Sequence, residues 1–338
     1  MVIWLKDIAY FTEKMFQGNG AEVTSNRYIA FAIKSKDYGT SNDSSHKTTR
    51  KRSVAYKHID VQPIAGAGGA EVYGVDLSKP IKRDVFAEVY KAWLKHQAVF
   101  FRDQKLTSEQ YIKFAKKWGG IHLHPFVKGL AKHPEILEVK KTETDTYTFG
   151  NRWHTDQMFS PTPAKATILY AKEVPPYGGD TQFANMYLAY EALSPGMKKM
   201  LRKVKTYNVG DGNKRRANYN TRQDRYKGAS AKPKAPPKGL KTNAEHPLVR
   251  THPETKKKAL YIGVHTQNLV GFENAESEFL IDLLRDHCTR PEFISRFDWQ
   301  KNSMAIWDNR CLQHYAISDY PGHRRRMHRI TIKGDKPF

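Results

Sequence analysis

The segment Trp153-His154-Thr155-Asp156 sets an imidazole and a carboxylate two positions apart. In an extended strand, residues i and i+2 project from the same side. His154 and Asp156 could therefore grip one ion together. Two histidines and one carboxylate on one face of a metal leave its opposite positions open, an arrangement suited to non-haem iron(II) oxygenase chemistry. His314, in Trp307-Asp-Asn-Arg-Cys-Leu-Gln-His314-Tyr, is the candidate third ligand. A lone His-x-Asp is a weak signal, because histidine has many other uses. His122 and His124 have the same spacing and compete for the role, although no nearby carboxylate completes their set. The trio His154, Asp156 and His314 would also serve a zinc hydrolase.

Two more residues separate these readings. Arg325 follows His314 across Asp319-Tyr-Pro-Gly322, where the chain passes from one strand to the next. A strand pair joined by that turn would set Arg325 beside the metal pocket, where a guanidinium can bind a carboxylate bidentately. Thr181, in Gly178-Gly-Asp-Thr181, adds a hydroxyl. A zinc hydrolase gives no reason for either.

The elements that must position these groups are mostly strands. Ala98–Phe101 reads as a buried strand, and further strands are expected at 136–140, 165–171, 259–264, 303–307 and 327–333 from their β-branched and aromatic content. Helices are expected at 82–95 and 108–118, the second opening on a Thr107/Gln110 capping-box spacing. Ser194-Pro195 starts another helix and 275–287 forms one more. Many strands with a few helices predict a mainly β fold, a sandwich or jelly roll with flanking helices. Gly66, Gly68 and Gly69 do not spell a dinucleotide fingerprint. Trp153 and Trp307 read as packing residues.

The 338 residues, 39% hydrophobic and 12% aromatic, are enough for one large core. Residues 1–56 include the polar stretch 39–52 and read as a poorly structured N-terminal arm, so compact organisation is expected over 57–338. The N-terminal residues fit neither a secretory signal nor a transit peptide well. No run of apolar residues is long enough to predict a membrane-spanning helix. Cys288 and Cys311 form no disulfide framework, which points to the cytoplasm.

The formal net charge of +23 is unevenly spread, with 19 Lys and Arg against four acids between Lys198 and Lys258. Residues 208–246 are expected to form a long basic loop, an insertion or a lid that attracts an anionic substrate. A basic nucleic-acid-binding protein is the rival from another class. No zinc-finger, RNP or basic-zipper signature accompanies the charge, which argues against it.

From about His58 to Phe338 the chain resembles the taurine dioxygenase (TauD/TfdA) family. The resemblance rests on Gly69-Ala-Glu-Val-Tyr-Gly-Val-Asp-Leu-Ser78, Trp153-His-Thr-Asp156, Gly178-Gly-Asp-Thr181, Ala305-Ile-Trp-Asp-Asn-Arg310, Gln313-His-Tyr-Ala316 and Arg324-Arg-Arg-Met-His-Arg329. It implies a double-stranded β-helix, a cupin-like jelly roll. It implies Fe(II) on His154, Asp156 and His314, with 2-oxoglutarate and O2 as co-substrates. The distal carboxylate of 2-oxoglutarate would rest on Arg325 and Thr181, and His124 and Arg329 would face a small anionic organic substrate. The implied reaction couples decarboxylation of 2-oxoglutarate to succinate and CO2 with hydroxylation of a substrate C–H bond. Members often form dimers or tetramers, so a homo-oligomer is expected.

Departures from the family pattern fall in the substrate pocket. Val127, Gly150 and His265 stand where taurine-specific members carry a tyrosine, an asparagine and a phenylalanine, and Gln157 stands where an apolar residue is common. These changes argue against taurine and leave another sulfonate, a sulfate ester or a carboxylate-bearing ether.

Overall fold

The computed structural model describes residues 56–124, 127–210 and 239–338. The expected N-terminal arm and most of the expected basic insertion lie outside the described residues.

The described chain opens with β1 (Asp60–Pro63) and β2 (Ala70–Tyr73). Helix α1 (Arg83–His96) buries Val89, Ala92 and Trp93 and ends at Gln97 in the left-handed region, φ 63°. Strand β3 (Ala98–Phe101) leads to α2 (Ser108–Lys116), where both hydrogen bonds of the Thr107–Gln110 capping box form. Strands β4 (Ile121–His122), β5 (Leu137–Lys141), β6 (Ala166–Glu173) and β7 (Thr181–Asn185) precede α3 (Met186–Glu191) and α4 (Pro195–Leu201). Ser194 caps α4 by accepting the Met197 N–H, with proline in the first turn. Next come β8 (Lys205–Val209), β9 (Asn243–Pro247), β10 (Val249–Thr251), β11 (Lys258–Leu260), β12 (Thr266–Leu269) and α5 (Asn274–Cys288). The chain closes with β13 (Ile294–Phe297), β14 (Met304–Asp308), β15 (Leu312–Ala316) and β16 (Arg325–Ile332).

Eight strands form the large sheet, in the order β1-β2-β3-β14-β6-β16-β4 with β5 also paired to β16. Its pairs are antiparallel except β2 with β3. A second sheet runs β13-β7-β15. Alternate residues on a strand face opposite ways, and both faces of the large sheet are buried. Ala98, Phe100, Leu169, Ala171, Ala305, Trp307 and Met327 pack against Phe183, Phe297 and Leu312 of the second sheet. Val99, Phe101, Ile168, Tyr170, Ile306 and Ile330 pack instead with Val89, Trp93 and Phe114 of the two helices. Two covered faces explain why Ala98–Phe101 is apolar at every position. The fold is mainly β with flanking helices, and the site lies between the two sheets.

Two expectations are corrected. Strand β11 stops at Leu260, short of 264, because Gly263 and Thr266 close a turn through the Thr266 N–H to Gly263 carbonyl bond of 3.0 Å. The ends of the expected 208–246 loop are strand, since β8 pairs β9 from Lys205↔Pro247 to Val209↔Asn243. The inward residues Thr206, Asn208 and His246 are buried but polar. They bond one another and Thr266, Asn208 Nδ2 donating to Thr206 Oγ1 at 2.9 Å and Thr266 Oγ1 to Asn208 Oδ1 at 2.9 Å. With no apolar alternation, the strands had no signal of their usual kind.

Candidate active site

His154 and His314 are joined by an antiparallel bridge, each backbone N–H donating to the other's carbonyl at 3.1 and 2.9 Å. Directly opposed residues of an antiparallel pair project from the same face, and the two rings lie 4.1 Å apart. His154 sits in this single bridge and not in a regular strand, because the chain turns at Asp156–Gln157 (φ 56° at Gln157). The turn brings Asp156 Oδ1 to 3.6 Å from His154 Nε2 and 3.7 Å from His314 Nε2. One ligand atom from each of the three side chains lies within 4.8 Å of the others. His154 Nδ1 is engaged at 2.6 Å by the Arg152 carbonyl, which fixes the proton there and leaves Nε2 as a lone-pair donor facing the carboxylate.

The other oxygen of Asp156 is fully occupied. Oδ2 accepts from the Thr167 hydroxyl and from Arg329 Nη2, the latter at 2.7 Å. Thr167 Oγ1 in turn accepts from Asn309 Nδ2 at 3.0 Å, and Asn309 Oδ1 takes the Trp307 indole N–H at 3.1 Å and the Asp156 backbone N–H at 3.4 Å. Burial raises the Asp156 pKa, but Arg329, the two histidines and the Thr167 bond outweigh it and hold the carboxyl well below the ordinary carboxylate range. Burial pushes both histidines down, against the pull of Asp156, so the rings favour the neutral form that ligates metal. Two neutral imidazoles and an ionised carboxylate with one oxygen to spare fit a divalent metal ion.

A small, partly open pocket adjoins this trio. Thr181, Arg325, Arg329 and Trp307 line it together with apolar Val139, Phe149 and Leu169. Arg325 is buried, and its Nε and Nη2 have no hydrogen-bond partner. Burial lowers its pKa. A buried guanidinium with unsatisfied donors is costly unless an anion completes it. Gly179 (φ +73°) makes room, since a Cβ there would lie 3.3 Å from Arg325 Cδ and Nε. Thr181 Oγ1 accepts the Trp299 indole N–H at 2.9 Å, which orients its own proton away from that bond.

The structure brings His154, Thr181, His314, Arg325 and Arg329 to one pocket, with Asp156 bonded into it. His124 does not line it. It is half-buried beyond β4, its Nδ1 accepting the Val127 N–H at 3.1 Å. Arg325 arrives by a route other than the one expected, because β15 and β16 do not pair. They belong to different sheets, and the 319–322 turn carries the chain across the sandwich. Arg324 bonds exposed Glu143 and Arg326 faces Glu138 and Glu173, both off the pocket as strand alternation requires. Trp307 packs as expected, and its ring also stands 4.6 Å from His314.

Sequence reasoning missed Thr167 and gave Asn309 no role beyond its motif. Thr167 could have been noticed as a hydroxyl in an otherwise apolar strand run. A second cluster, His252, Asp308 and Cys311, is close enough to hold an ion. Its atoms are already spoken for. Arg310 binds Asp308 through Nε and Nη2 at 2.8 Å each, and His252 Nε2 meets Asp308 Oδ2 at 3.0 Å while its Nδ1 accepts two backbone N–H groups. This network fixes the loop that carries Asn309.

Three side chains close enough to hold one metal ion, beside a buried guanidinium without a partner, form an arrangement that suits a mononuclear non-haem metal oxygenase. The family model described as "Taurine catabolism dioxygenase TauD, TfdA family" matches residues 60–331, and the chain belongs to that family. It is 33% identical to an alkylsulfatase of Acinetobacter baylyi, covering 82% of this chain and 86% of that protein. It is 32% identical to an alpha-ketoglutarate-dependent sulfate ester dioxygenase of Pseudomonas putida, covering 82% and 91%. Among solved structures, a taurine dioxygenase from Burkholderia xenovorans superposes with a TM-score of 0.68 at 34% identity, covering 83% of this chain and 91% of that one.

Proposed function

We propose that this protein is an Fe(II)- and 2-oxoglutarate-dependent dioxygenase that hydroxylates a sulfate ester or related small organic anion. The observation that carries the reading is Arg325, a buried guanidinium with two unsatisfied nitrogens on the same pocket as the His154–Asp156–His314 trio. A zinc hydrolase would use the trio and leave Arg325 without a purpose. Fe(II), held by the trio, supplies the oxygen activation that couples loss of CO2 from 2-oxoglutarate to C–H hydroxylation.

The protein's part is to bind, orient and exclude water. Arg325 and Thr181 take the distal carboxylate of 2-oxoglutarate, which directs its keto-acid end toward the trio. Val139, Phe149 and Leu169 make the wall apolar and suit a substrate with a hydrocarbon body. Arg329 spends Nη2 on Asp156, and its Nε has no partner, so the guanidinium keeps a donor for a substrate anion. Hydroxylation at the carbon bearing a sulfate group gives a product that collapses to an aldehyde and inorganic sulfate. The two relatives named for sulfate esters favour this class over taurine.

The catalytic domain in this reading spans 57–338 with a basic insertion around 208–246, and the facing sheets are the walls of a double-stranded β-helix. No helix of the described residues is long and apolar enough to cross a membrane, and both cysteines are free and buried, which supports a cytoplasmic enzyme. The test is a panel of alkyl sulfates, sulfonates and aryloxy acids with Fe(II), 2-oxoglutarate and O2. Succinate should rise most with alkyl sulfates, with matching sulfate release. Succinate stimulation by taurine alone would contradict the substrate class.

A further inference from the structure

Lys141 on β5 and Arg325 on β16 are direct partners in the antiparallel pairing. Such residues project from the same face with Cβ atoms about 5 Å apart. That face is the pocket wall, since Val139, two residues before Lys141, lines the pocket along with Arg325 and Arg329. Lys141 is 7% exposed, and its Nζ is buried with no hydrogen-bond partner. It rests over the Tyr320 ring, 4.9 Å from the centroid. Arg325 is in the same condition, with two unpartnered nitrogens and the Trp299 ring at 5.7 Å.

No carboxylate among the described residues forms an ion pair with either side chain. Asp180, the acid that acts on Arg325 through space, is taken by Arg296 at 2.5 Å. Asp319 accepts the Gly179 N–H at 2.7 Å and faces Arg296 at 3.8 Å. Two adjacent buried cations without a counter-charge form an arrangement that an incoming anion stabilises strongly. The four-carbon stem of lysine lets its ammonium swing a short way from an aromatic face to such an anion.

We propose that Lys141 is a second cationic anchor for the distal carboxylate of 2-oxoglutarate, acting beside Arg325 and selecting for a dicarboxylate co-substrate. This rests on the 2-oxoglutarate reading of the pocket. Arg325 supplies the bidentate fork, and Lys141 supplies a point charge from the neighbouring strand. The pairing also explains an otherwise unpaid burial of a lysine Nζ within the sheet.

The experiment measures binding by calorimetry to Mn(II)-loaded protein, with 2-oxoglutarate and with 2-oxopentanoate, which has the same length but no distal carboxylate. Lys141→Met keeps the apolar stem and removes the charge, Lys141→Arg keeps the charge, and Arg325→Met reports on the parent reading. Loss of one charge-assisted contact corresponds to about tenfold in affinity. Lys141→Met should weaken 2-oxoglutarate by about that factor and leave 2-oxopentanoate unchanged, and Lys141→Arg should recover most of the loss. Unchanged 2-oxoglutarate affinity in Lys141→Met would overturn the proposal, as would equal losses for both acids, which mark a purely structural lysine. Wild-type protein that binds the two acids equally, with no effect of Arg325→Met, would overturn the co-substrate reading and this proposal with it.

Discussion

Thr167→Val should loosen the metal site without emptying the core around it. The substitution is nearly isosteric and falls at a fully buried position, so packing is kept. What is lost is the hydroxyl that donates to Asp156 Oδ2 and accepts from Asn309 Nδ2 at 3.0 Å. A hydrogen bond to a charged acceptor contributes about 1.5–3 kcal/mol, and an orphaned buried amide costs about 1–3 kcal/mol more. Arg329 still holds Oδ2 at 2.7 Å, so the carboxylate keeps one of its two fixed partners. Partners of metal ligands typically govern affinity by 10- to 100-fold, and with Arg329 retained about tenfold is expected. Metal-free protein should also lose about 2 kcal/mol of stability by denaturant unfolding. The assay is competition for Mn(II) or Fe(II) with a coloured chelator, alongside urea melts. Wild-type metal affinity in a folded Thr167→Val protein would refute the claim that Thr167 orients Asp156.

Other substitutions probe the same pocket. Gly179→Ala should weaken 2-oxoglutarate binding several-fold in calorimetry, because the new Cβ meets Arg325 at 3.3 Å and φ +73° strains alanine by about 1 kcal/mol. Asp308→Asn should cost about 3–5 kcal/mol in urea unfolding, because it breaks a buried pair with Arg310 and the contact to His252. Asp156→Ala should abolish metal binding by chelator competition and end succinate formation. The melting temperature of metal-free protein should hold above pH 7 and fall as the pH drops from 6.5 toward 4. Burial depresses His246 and His328 to about 4 from an ordinary 6.5, so the neutral rings stabilise the fold above 6.5 and that contribution is lost on acidification. A melting temperature constant down to pH 4 would contradict that sign.

Much of the trio was legible because ligand chemistry is written in residue type. His154 and Asp156 are close in sequence, and His314 lies in a motif of its own. The means of assembly was less legible. The i, i+2 geometry of a strand was expected, whereas the structure uses one backbone bridge to His314 and a turn with positive φ at Gln157. Arg325 reaches the pocket by crossing between sheets, which local pairing rules cannot reveal. The helix boundaries at 108 and 195 were readable from caps that act within a few residues. Strands β8 and β9 were not, because their buried faces carry Thr206, Asn208 and His246, polar groups satisfied by one another, by Thr266 and by the Met158 and Ser160 carbonyls. Thr167, Asn309 and Lys141 gain their meaning from neighbours on other strands, and nothing in their local sequence records those neighbours.

The central claim is that the His154–Asp156–His314 trio and Arg325 together hold Fe(II) and 2-oxoglutarate. The most direct measurement is the visible spectrum of anaerobic protein on addition of both. A weak metal-to-ligand charge-transfer band is expected in the wild type, absent in His154→Ala and requiring far more 2-oxoglutarate in Arg325→Met. Wild-type protein that binds Fe(II) yet develops no band at saturating 2-oxoglutarate would contradict the account.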